Sequence, residues 1–586
     1  MEKGRFSSPK DLSALIQAAR GTVPCDVVVK GAKFLDVFNG SFQEGDIAIL
    51  GNTIVGIGDS YSGKEHIDAQ DLIVVPGFVD THVHIESSLM TPATFAKAVL
   101  PCGTTTAIWD PHEIANVWGK EGIEWALASS ENVGLDVFVM VPSCVPSTSP
   151  ELGLETSGAV LRQKDLSSFR GHPRVLGLAE MMNFPGLLHQ EADVVGKLVD
   201  YKDMKRDGHC PGLRGKDLNA YGVAGVHSCH ESTTLDEAYE KMMKGIHVLI
   251  REGSCAKDAA TLLPLLNSYS SAVLGFCSDD RNPLDIAETG HIDCIVNMGL
   301  KKGLDPASVF RAATYSACRQ YGLLDRGAVA PGYLADLVFV RPLGGDMKNG
   351  VEITRVIKNG RDIKELKVSQ SLPAKSRKNL NMKDITLDHF SVRAKAASGT
   401  VVTRVIEVIP NQILTKKSTI SMLVDKGSIA NDLERDVLKI AVLERHHQTG
   451  GYSVALVQGF GIKEGAIATS INHDSHNVIV VGSSDEYMLQ AVNELRAIDG
   501  GIVVVGKKTV EKLACPIGGL MSVAEPRDVK EGLERLKKLA REIGCVLSEP
   551  FLQLSFLALP VIPSLKITDK GLVDVDEFRV VTLVVD

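Results

Sequence analysis

His82 and His84 are separated by a single residue and follow the apolar run Val74–Val79. In a β-strand, residues i and i+2 face the same side, so both imidazoles would point together from the carboxyl end of the strand. Two such imidazoles supply half of the ligands of a metal site. A pair of hydrogen-bonded surface histidines is the simpler alternative, and the ligand candidates farther along the chain argue against it.

Those further candidates stand after apolar runs or in a glycine turn. They are Glu180 after Val175–Ala179, His209 in the turn 207–212, His230 and Glu231 after Val226–Cys229, and Asp279 and Asp280 after Leu274–Ser278. Taken singly, Glu180 would also serve as a strand-end cap, His209 as a turn residue and His230 as a core histidine. Imidazoles with carboxylates suit a pair of divalent ions such as Zn²⁺, Fe²⁺ or Mn²⁺, and a carboxylate can bridge them. The order of the candidates along the chain therefore favours one binuclear centre.

The elements that must position these side chains are strand-like runs that alternate with helical stretches between Phe78 and about Gly332. This alternation is typical of βα units around a parallel sheet, and a span of this length suits a (β/α)8 barrel. The strand candidates are Val74–Val79, Thr104–Trp109, Val137–Val141, Val175–Ala179, Gly222–His227, His247–Ile250 and Val273–Cys277. These seven runs are one short of eight. In such a barrel, chemistry is carried by loops at the carboxyl ends of the strands.

Both flanks of the barrel region read as short strands between glycine turns, as in Asp26–Lys30, Asp46–Leu50, Thr53–Ile57 and Asp336–Val340. We therefore predict an α/β protein: a distorted (β/α)8 barrel, a small β-sandwich domain built from both flanks, and an additional C-terminal α/β domain. The predicted boundaries are 1–75 for the N-terminal segment and first part of the β domain, 76–334 for the barrel, 335–365 for the return to the β domain, 366–400 for a linker and 401–586 for the C-terminal domain.

Composition excludes several classes of protein. The 586 residues include 63 Lys+Arg and 72 Asp+Glu, a formal charge of -9 without a long basic run, so neither nucleic acid nor an anionic membrane is an expected partner. No apolar run approaches the ~20 residues of a membrane span, and the start Met1–Arg5 lacks a signal-peptide core. Eleven cysteines without a CxxC pair are typical of reduced thiols. A cytoplasmic protein is the expectation.

Several motifs carry a resemblance to a known family. Pro76–His84, Gly327–Asp336 and Val356–Gly360 resemble the amidohydrolase superfamily. Within it, five segments resemble the bacterial adenine deaminases over nearly the whole chain. They are His84–Ser88, Trp109–Asn116, Ala179–Asn183, Gly208–Gly212 and Cys277–Arg281.

The resemblance implies a role for each matching residue. His82 and His84 would bind one metal, Glu180 would bridge where many relatives carry a carboxylated lysine, and His209 and His230 would hold the second metal. Asp279 would bind metal and move protons. The implied cofactor is a binuclear Mn²⁺ centre, with Fe²⁺ or Zn²⁺ as alternatives, and the implied partner is a small purine base used in purine salvage. A homo-oligomer is also expected.

The implied reaction is hydrolytic deamination of adenine to hypoxanthine and ammonia by a metal-activated hydroxide, with Asp279 as proton carrier. Glu180, Glu231 and Asp280 are the other candidate catalytic groups, and Glu86 and Glu113 the candidate substrate-binding groups. A cyclic amide hydrolase of the dihydroorotase or hydantoinase type is the first alternative, which Glu180 in place of lysine disfavours. A metal-binding protein without turnover is the second, which an intact Asp279 disfavours.

Two polar clusters in the C-terminal region, 446–451 and 472–477, lie beside apolar strands. A loop network satisfied by its own hydrogen bonds is one interpretation of them. The other is that the C-terminal domain closes over the barrel mouth and completes the site. The sequence does not decide between them.

Overall fold

The computed structural model describes residues 8–373 and 377–585. Met1–Arg5, on which the expectation about a signal peptide depends, lie outside the described residues, as do 374–376 of the predicted linker and the final Asp586. Within the described ranges, no helix combines the length and the apolar character needed to cross a membrane.

The N-terminal flank forms one helix and five strands. They are α1 Pro9–Ala19, β1 Cys25–Asp36, β2 Ser41–Leu50, β3 Thr53–Ile57, β4 Gly63–Asp68 and β5 Ile73–Pro76. The Gly51–Asn52 turn joins β2 to β3, and Gly51 has φ +61°, a backbone conformation that glycine adopts at no steric cost. The predicted strands of this flank are confirmed.

Eight parallel strands follow in two sheets, which run in the order β10-β9-β8-β7-β6 and β11-β12-β13. They are β6 Phe78–Val83, β7 Thr104–Trp109, β8 Asp136–Val141, β9 Val175–Met181, β10 Lys205–Gly208, β11 Ser228–Cys229, β12 His247–Arg251 and β13 Leu274–Cys277. A parallel bridge between Val83 and Asp279 connects the end of β6 to the end of β13. The carboxyl ends of the first and last strands therefore meet.

Helices connect these strands. They are α2 Pro92–Val99, α3 His112–Trp118, α4 Lys120–Ser129, α5 Gln163–Leu166, α6 Phe184–Leu188, α7 Ala192–Asp200, α8 Gly215–Val223, α9 Leu235–Met243, α10 Ala259–Leu262, α11 Pro283–Thr289, α12 Ile292–Lys301, α13 Pro306–Arg311 and α14 Ala317–Gln320. A π-helical turn, Ala312–Ser316, joins α13 to α14. Trp109 and Phe276 are fully buried on strands of this region.

The strands differ from the sequence prediction in three places. Val74–Val79 is not one barrel strand, because β5 of the flanking sheet ends at Pro76 and β6 of the barrel begins at Phe78. Gly222–His227 is not a strand, because α8 extends to Val223 and Gly225 then turns the chain at φ +81° into the two-residue strand β11. The strand that was missing from the seven predicted runs is β10, whose sequence Lys-Arg-Asp-Gly is polar. Lys205 and Arg206 at its start are only half buried, so the strand lacks the apolar run by which its neighbours were recognised.

The chain returns to the first sheet after α14. Strands β14 Leu337–Pro342, β15 Val351–Lys358 and β16 Arg361–Asp362 extend it, and β14 pairs antiparallel with β5. Gly77 lies where the chain leaves β5 for β6, and a Cβ there would stand 2.1 Å from Thr105 Oγ1. Only glycine fits this close passage between the two sheets.

The C-terminal region contains a ten-stranded and a three-stranded sheet. Its strands are β17 Val392–Arg393, β18 Gly399–Val408, β19 Thr415–Asp425, β20 Ser428–Ile429, β21 Val437–Leu443, β22 Tyr452–Gln458, β23 Gly465–Thr469, β24 Val478–Gly482, β25 Gly501–Gly506, β26 Val510–Ala514, β27 Leu565–Thr568, β28 Gly571–Asp574 and β29 Arg579–Val581. Its helices are α15 Asp485–Ala497, α16 Pro526–Glu542 and α17 Pro550–Ser555. In α16, Val529, Leu533, Leu536 and Ala540 recur at helical spacing and are buried, which explains why this charged segment forms a packed helix.

The C-terminal region packs directly against the barrel strands and helices. Thr156 donates from its backbone N–H (2.8 Å) and its hydroxyl (2.6 Å) to the two oxygens of Asp569. Asn282 Nδ2 donates to Glu549 Oε2 at 3.0 Å, and one buried hydrophobic cluster contains residues of both regions. These contacts place the loops of the C-terminal region beside the carboxyl ends of the parallel strands.

Candidate metal and substrate site

His82 and His84 lie at the carboxyl end of β6, with their Nε2 atoms 3.2 Å apart, and both are buried. His84 Nδ1 stands 3.0 Å from the backbone carbonyl of Asp110. A carbonyl accepts only, so Nδ1 carries the proton and donates, which leaves the Nε2 lone pair for a cation. The prediction that the two imidazoles point together holds in the structure.

Glu180, at the end of β9, lies between two pairs of histidines. Its Oε1 stands 3.2 Å from His84 Nε2 and 3.7 Å from His82 Nε2. Its Oε2 stands 2.7 Å from His209 Nδ1 and 3.4 Å from His230 Nε2. Each oxygen thus faces one imidazole pair, which is the arrangement expected of a carboxylate that bridges two ions.

Asp279 follows β13 and faces the first histidine pair, with Oδ1 3.2 Å from His84 Nε2 and 3.5 Å from His82 Nε2. Its backbone has φ +52°, in the left-handed region that non-glycine residues rarely adopt. Aspartate and asparagine tolerate this region best among such residues. The turn directs the carboxylate back across the strand ends toward β6.

This donor set fits divalent metal ions. Buried imidazole nitrogens and carboxylate oxygens converge in overlapping groups, each with atoms within 4.8 Å of one another. Three of these groups are His82–His230–Asp279, Glu180–His209–His230 and His84–Asp110–His112–Glu180. Burial alone would raise the pKa of Glu180, but the charge of His209 and hydrogen bonds from the histidines hold that pKa well below its usual range. A bound cation would displace the histidine protons, because an ionised carboxylate and neutral imidazoles are the forms that bind a metal.

Glu86 and Glu113 occupy different surroundings. Glu86 is buried and accepts hydrogen bonds from Trp109 Nε1 (2.7 Å) and from the Ile114 N–H (3.2 Å), and it is not among the residues that line the pocket. Burial, together with the charge of Glu113, raises the pKa of Glu86 to about 8. Glu113 Oε1 lies 3.1 Å from Ser87 Oγ, while Glu113 Oε2 is buried without a hydrogen-bond partner. A direct contact of either residue with substrate stays a prediction.

Glu231 and Asp280, the other predicted catalytic groups, both line the pocket beside the histidines. Glu231 is hydrogen-bonded to the Arg251 guanidinium, and its Oε1 stands 3.5 Å from His230 Nε2. Asp280 Oδ1 lies 2.5 Å from Ser87 Oγ. The structure therefore brings all the predicted ligands and both of these acids into one place.

Four residues at this site were missing from the sequence-based set. His112 Nδ1 stands 3.4 Å from Glu180 Oε1, and Arg251, the last residue of β12, lines the pocket. His473 and Asp474 of the C-terminal region line its opposite wall. His112 lies within the motif 109–116, which carried the family resemblance. His473 and Asp474 lie within the polar cluster 472–477, for which completion of the site was one of two interpretations left open. Nothing in the apolar run of β12 marked Arg251.

Comparison with known proteins bears on both halves of the chain. Residues 73–363 match the Amidohydrolase family, and residues 412–579 match the Adenine deaminase C-terminal domain. A protein of Brucella suis biovar 1 named adenine deaminase is 46% identical over 573 residues, which cover 97% of this chain and 96% of that protein. The chain belongs to the adenine deaminase family.

Other family members give the same picture. The adenine deaminase of Brucella anthropi is 47% identical over 572 residues, which cover 97% of this chain and 100% of the relative. Adenine deaminase 1 of Rhizobium meliloti is 46% identical over 578 residues, covering 97% and 99% of the two chains. The resemblance found in the sequence motifs is confirmed, and the adenine deaminase family places the site in a metal-dependent hydrolase with an amidohydrolase-type fold.

Proposed function

We propose that this protein catalyses the hydrolytic deamination of adenine to hypoxanthine and ammonia. The observation that supports this most is Glu180 between two histidine pairs, with Asp279 beside one of them, in a chain 46% identical to proteins named adenine deaminase. Water is consumed and ammonia is released, so the site must deliver one hydroxyl to C6 and one proton to the departing nitrogen.

His82, His84 and Asp279 would hold one ion, His209 and His230 the other, and Glu180 would bridge them. We propose Mn²⁺ for both positions, with Fe²⁺ or Zn²⁺ as alternatives, because all three accept imidazole nitrogen with carboxylate oxygen. Bound divalent ions lower the pKa of water and supply a nucleophile at neutral pH.

Asp279 is the proposed proton carrier. Its carboxylate would accept the proton of the attacking water and deliver it to the amino group that leaves as ammonia. The carboxylate lies between the two imidazoles at the end of β6 and the Arg251 guanidinium, which is 2.9 Å from Oδ2. Glu231 and Asp280 are proposed to assist, and Glu86 and Glu113 are proposed substrate contacts for the ring nitrogens.

We also propose the organisation that the sequence suggested: a distorted (β/α)8 barrel over 76–334, a small β-sandwich domain from 1–75 and 335–365, a linker over 366–400 and a C-terminal domain over 401–586. The bridge between Val83 and Asp279 supports closure of the barrel. A cytoplasmic homo-oligomer acting in purine salvage completes the proposal.

The test is ammonia release by metal-depleted and Mn²⁺-loaded protein. Adenine and other purines are offered as substrates in this assay, while opening of the dihydroorotate and hydantoin rings, which releases no ammonia, is followed by chromatography of the products. We expect activity on adenine that disappears after exhaustive chelation and returns with Mn²⁺ more fully than with Mg²⁺, since imidazole favours softer ions than Mg²⁺. Full activity after chelation would reject the metal centre, and preferred opening of hydantoin would reject the deaminase.

A further inference from the structure

The wall of the pocket that faces the histidine centre is built by the C-terminal region. Six of its residues line the pocket, four of them apolar: Ile413, His473, Asp474, Phe556, Leu559 and Ile562. The His473 ring stacks on that of Phe556, with centroids 4.5 Å apart and planes at 9°. A flat aromatic wall opposite a polar floor is suited to a planar heterocycle.

His473 and its neighbours carry polar atoms that lack hydrogen-bond partners in the described structure. His473 Nε2, Asp474 Oδ2 and Glu113 Oε2 are all buried and unpaired. Such atoms cost free energy unless a ligand or water satisfies them. Two of these atoms belong to His473 and Asp474, which line the pocket, and we infer that a bound molecule supplies their missing partners.

The charges around His473 define which hydrogen bond it offers. Its Nδ1 faces Asp474 Oδ1 at 3.6 Å and Glu113 Oε1 at 3.9 Å, and Asp280 also lies in this group. Burial lowers the pKa of His473, but the charge of Glu113 and contact with Asp474 raise it to about 9. An imidazolium of this kind presents an Nε2–H donor to the pocket.

The segment that carries His473 is firmly held. Buried Arg445 donates from its guanidinium to the backbone carbonyls of His476, Asn379 (3.1 Å) and Gly518 (3.0 Å). Lys566 donates to the Phe556 carbonyl at 2.9 Å, which fixes the ring beneath His473. The donor is therefore positioned before any substrate arrives, which lowers the cost of binding.

We propose that His473 of the C-terminal region is a substrate-contacting residue whose Nε2–H donates to a ring nitrogen of the purine. The inference rests on the proposed function, because it takes adenine as the molecule in the pocket. A ring nitrogen that receives this bond becomes more electron-withdrawing, so His473 would select bases with an acceptor at that position and assist attack at C6.

The test compares His473→Gln, His473→Asn and His473→Ala with wild type, all Mn²⁺-loaded. Glutamine places an amide nitrogen near the position of Nε2, whereas asparagine places one near Nδ1. Loss of a hydrogen bond from a charged donor costs ~10–100-fold, so we expect kcat/KM for adenine to fall by that factor in the alanine and asparagine variants. The glutamine variant should keep more activity, and metal content per chain should stay unchanged. The matched control is His389→Asn, because the His389 ring packs on Tyr452 in the same region and does not line the pocket.

Deaza analogues of adenine identify the contact. For one of 1-, 3- and 7-deazaadenine, the inhibition constant should be equal in wild type and His473→Ala, because the partner nitrogen is already missing. Equal losses for all three analogues, or alanine activity equal to wild type, would overturn the inference while leaving the deaminase intact. Wild-type protein inactive on adenine would reject the proposed function, and the inference with it.

Discussion

Arg251 donates a hydrogen bond from Nη1 to Asp279 Oδ2 at 2.9 Å, inside the pocket wall and away from solvent. The same guanidinium binds Glu231 and, at 2.9 Å, Asp258. One buried cation therefore faces three carboxylates. Burial alone would raise the pKa of Asp279, but hydrogen bonds from His82 and His84 and the charge of Arg251 hold that pKa well below its usual range.

Arg251→Met should impair both folding and turnover. Removal of one partner from a buried ion pair costs ~3–5 kcal/mol, because the carboxylates are left uncompensated. We expect a lower free energy of unfolding and at least a tenfold fall in kcat, measured by denaturant titration and ammonia release. Arg251→Lys is the control, since lysine keeps the positive charge but lacks the forked pair of guanidinium N–H donors. If Arg251→Met had the wild-type free energy of unfolding and the wild-type kcat, neither folding nor turnover would depend on a buried cation beside Asp279.

Asp279→Asn removes the charge and the basicity of the proposed proton carrier. Asparagine tolerates the left-handed backbone at φ +52°, so the turn should persist where alanine would strain it. Loss of a positioned base costs ~10²–10⁴-fold in rate, and ammonia release should fall accordingly while at least one metal per chain remains. Near-normal turnover would transfer the role to Glu231 or Asp280.

Glu180→Gln replaces the carboxylate between the two histidine pairs by a neutral amide. An amide is a poor bridge between two cations, so the metal content per chain should fall below that of wild type, with activity falling in parallel. Elemental analysis after dialysis against a fixed Mn²⁺ concentration measures the change. Two ions retained per chain would place the bridge on another group.

Lys566, behind the pocket wall formed by Ile413 and Phe556, gives the protein a pH-dependent stability. Its Nζ donates to the carbonyls of Ile413 (2.7 Å) and Phe556 (2.9 Å), and burial lowers its pKa from 10.5 to about 7. Between these pKa values the unfolded chain binds the extra proton, so the free energy of unfolding rises with pH by up to ~1.4 kcal/mol per unit.

Denaturant titrations of wild type and Lys566→Met at pH 7 and pH 9 measure this effect. The wild-type free energy of unfolding should increase more than that of the variant over this interval, whatever the absolute stability of the variant. Equal increases would mean that Lys566 keeps its ordinary pKa in the folded protein.

The site residues that could be predicted from the sequence are those whose position follows from a local pattern, the end of an apolar strand. His82, His84, Glu180 and Asp279 follow apolar strands, and the ends of parallel strands converge at one edge whatever their separation in the chain. The strand β10 escaped notice because its residues Lys205–Gly208 are polar. The candidate ligand that follows this strand, His209, was still identified, because it lies in the glycine-containing turn 207–212.

The remaining residues depend on contacts that no local pattern encodes. Arg251 lies within a run that reads as an ordinary buried strand, and only its pairing with carboxylates from neighbouring strands reveals a role. His473 lies 360 positions after Glu113 in the chain, although the two side chains are 3.9 Å apart. The docking of the C-terminal region sets that distance, and propensity or periodicity carries no information about it.

Because the C-terminal region supplies one wall of the pocket, the two walls are synthesised at different times. The imidazole cluster precedes Phe556 and Asp569 in the chain, and these two residues form the opposite wall and its anchor to Thr156. The ribosome therefore synthesises the candidate metal ligands before the wall that would enclose a base.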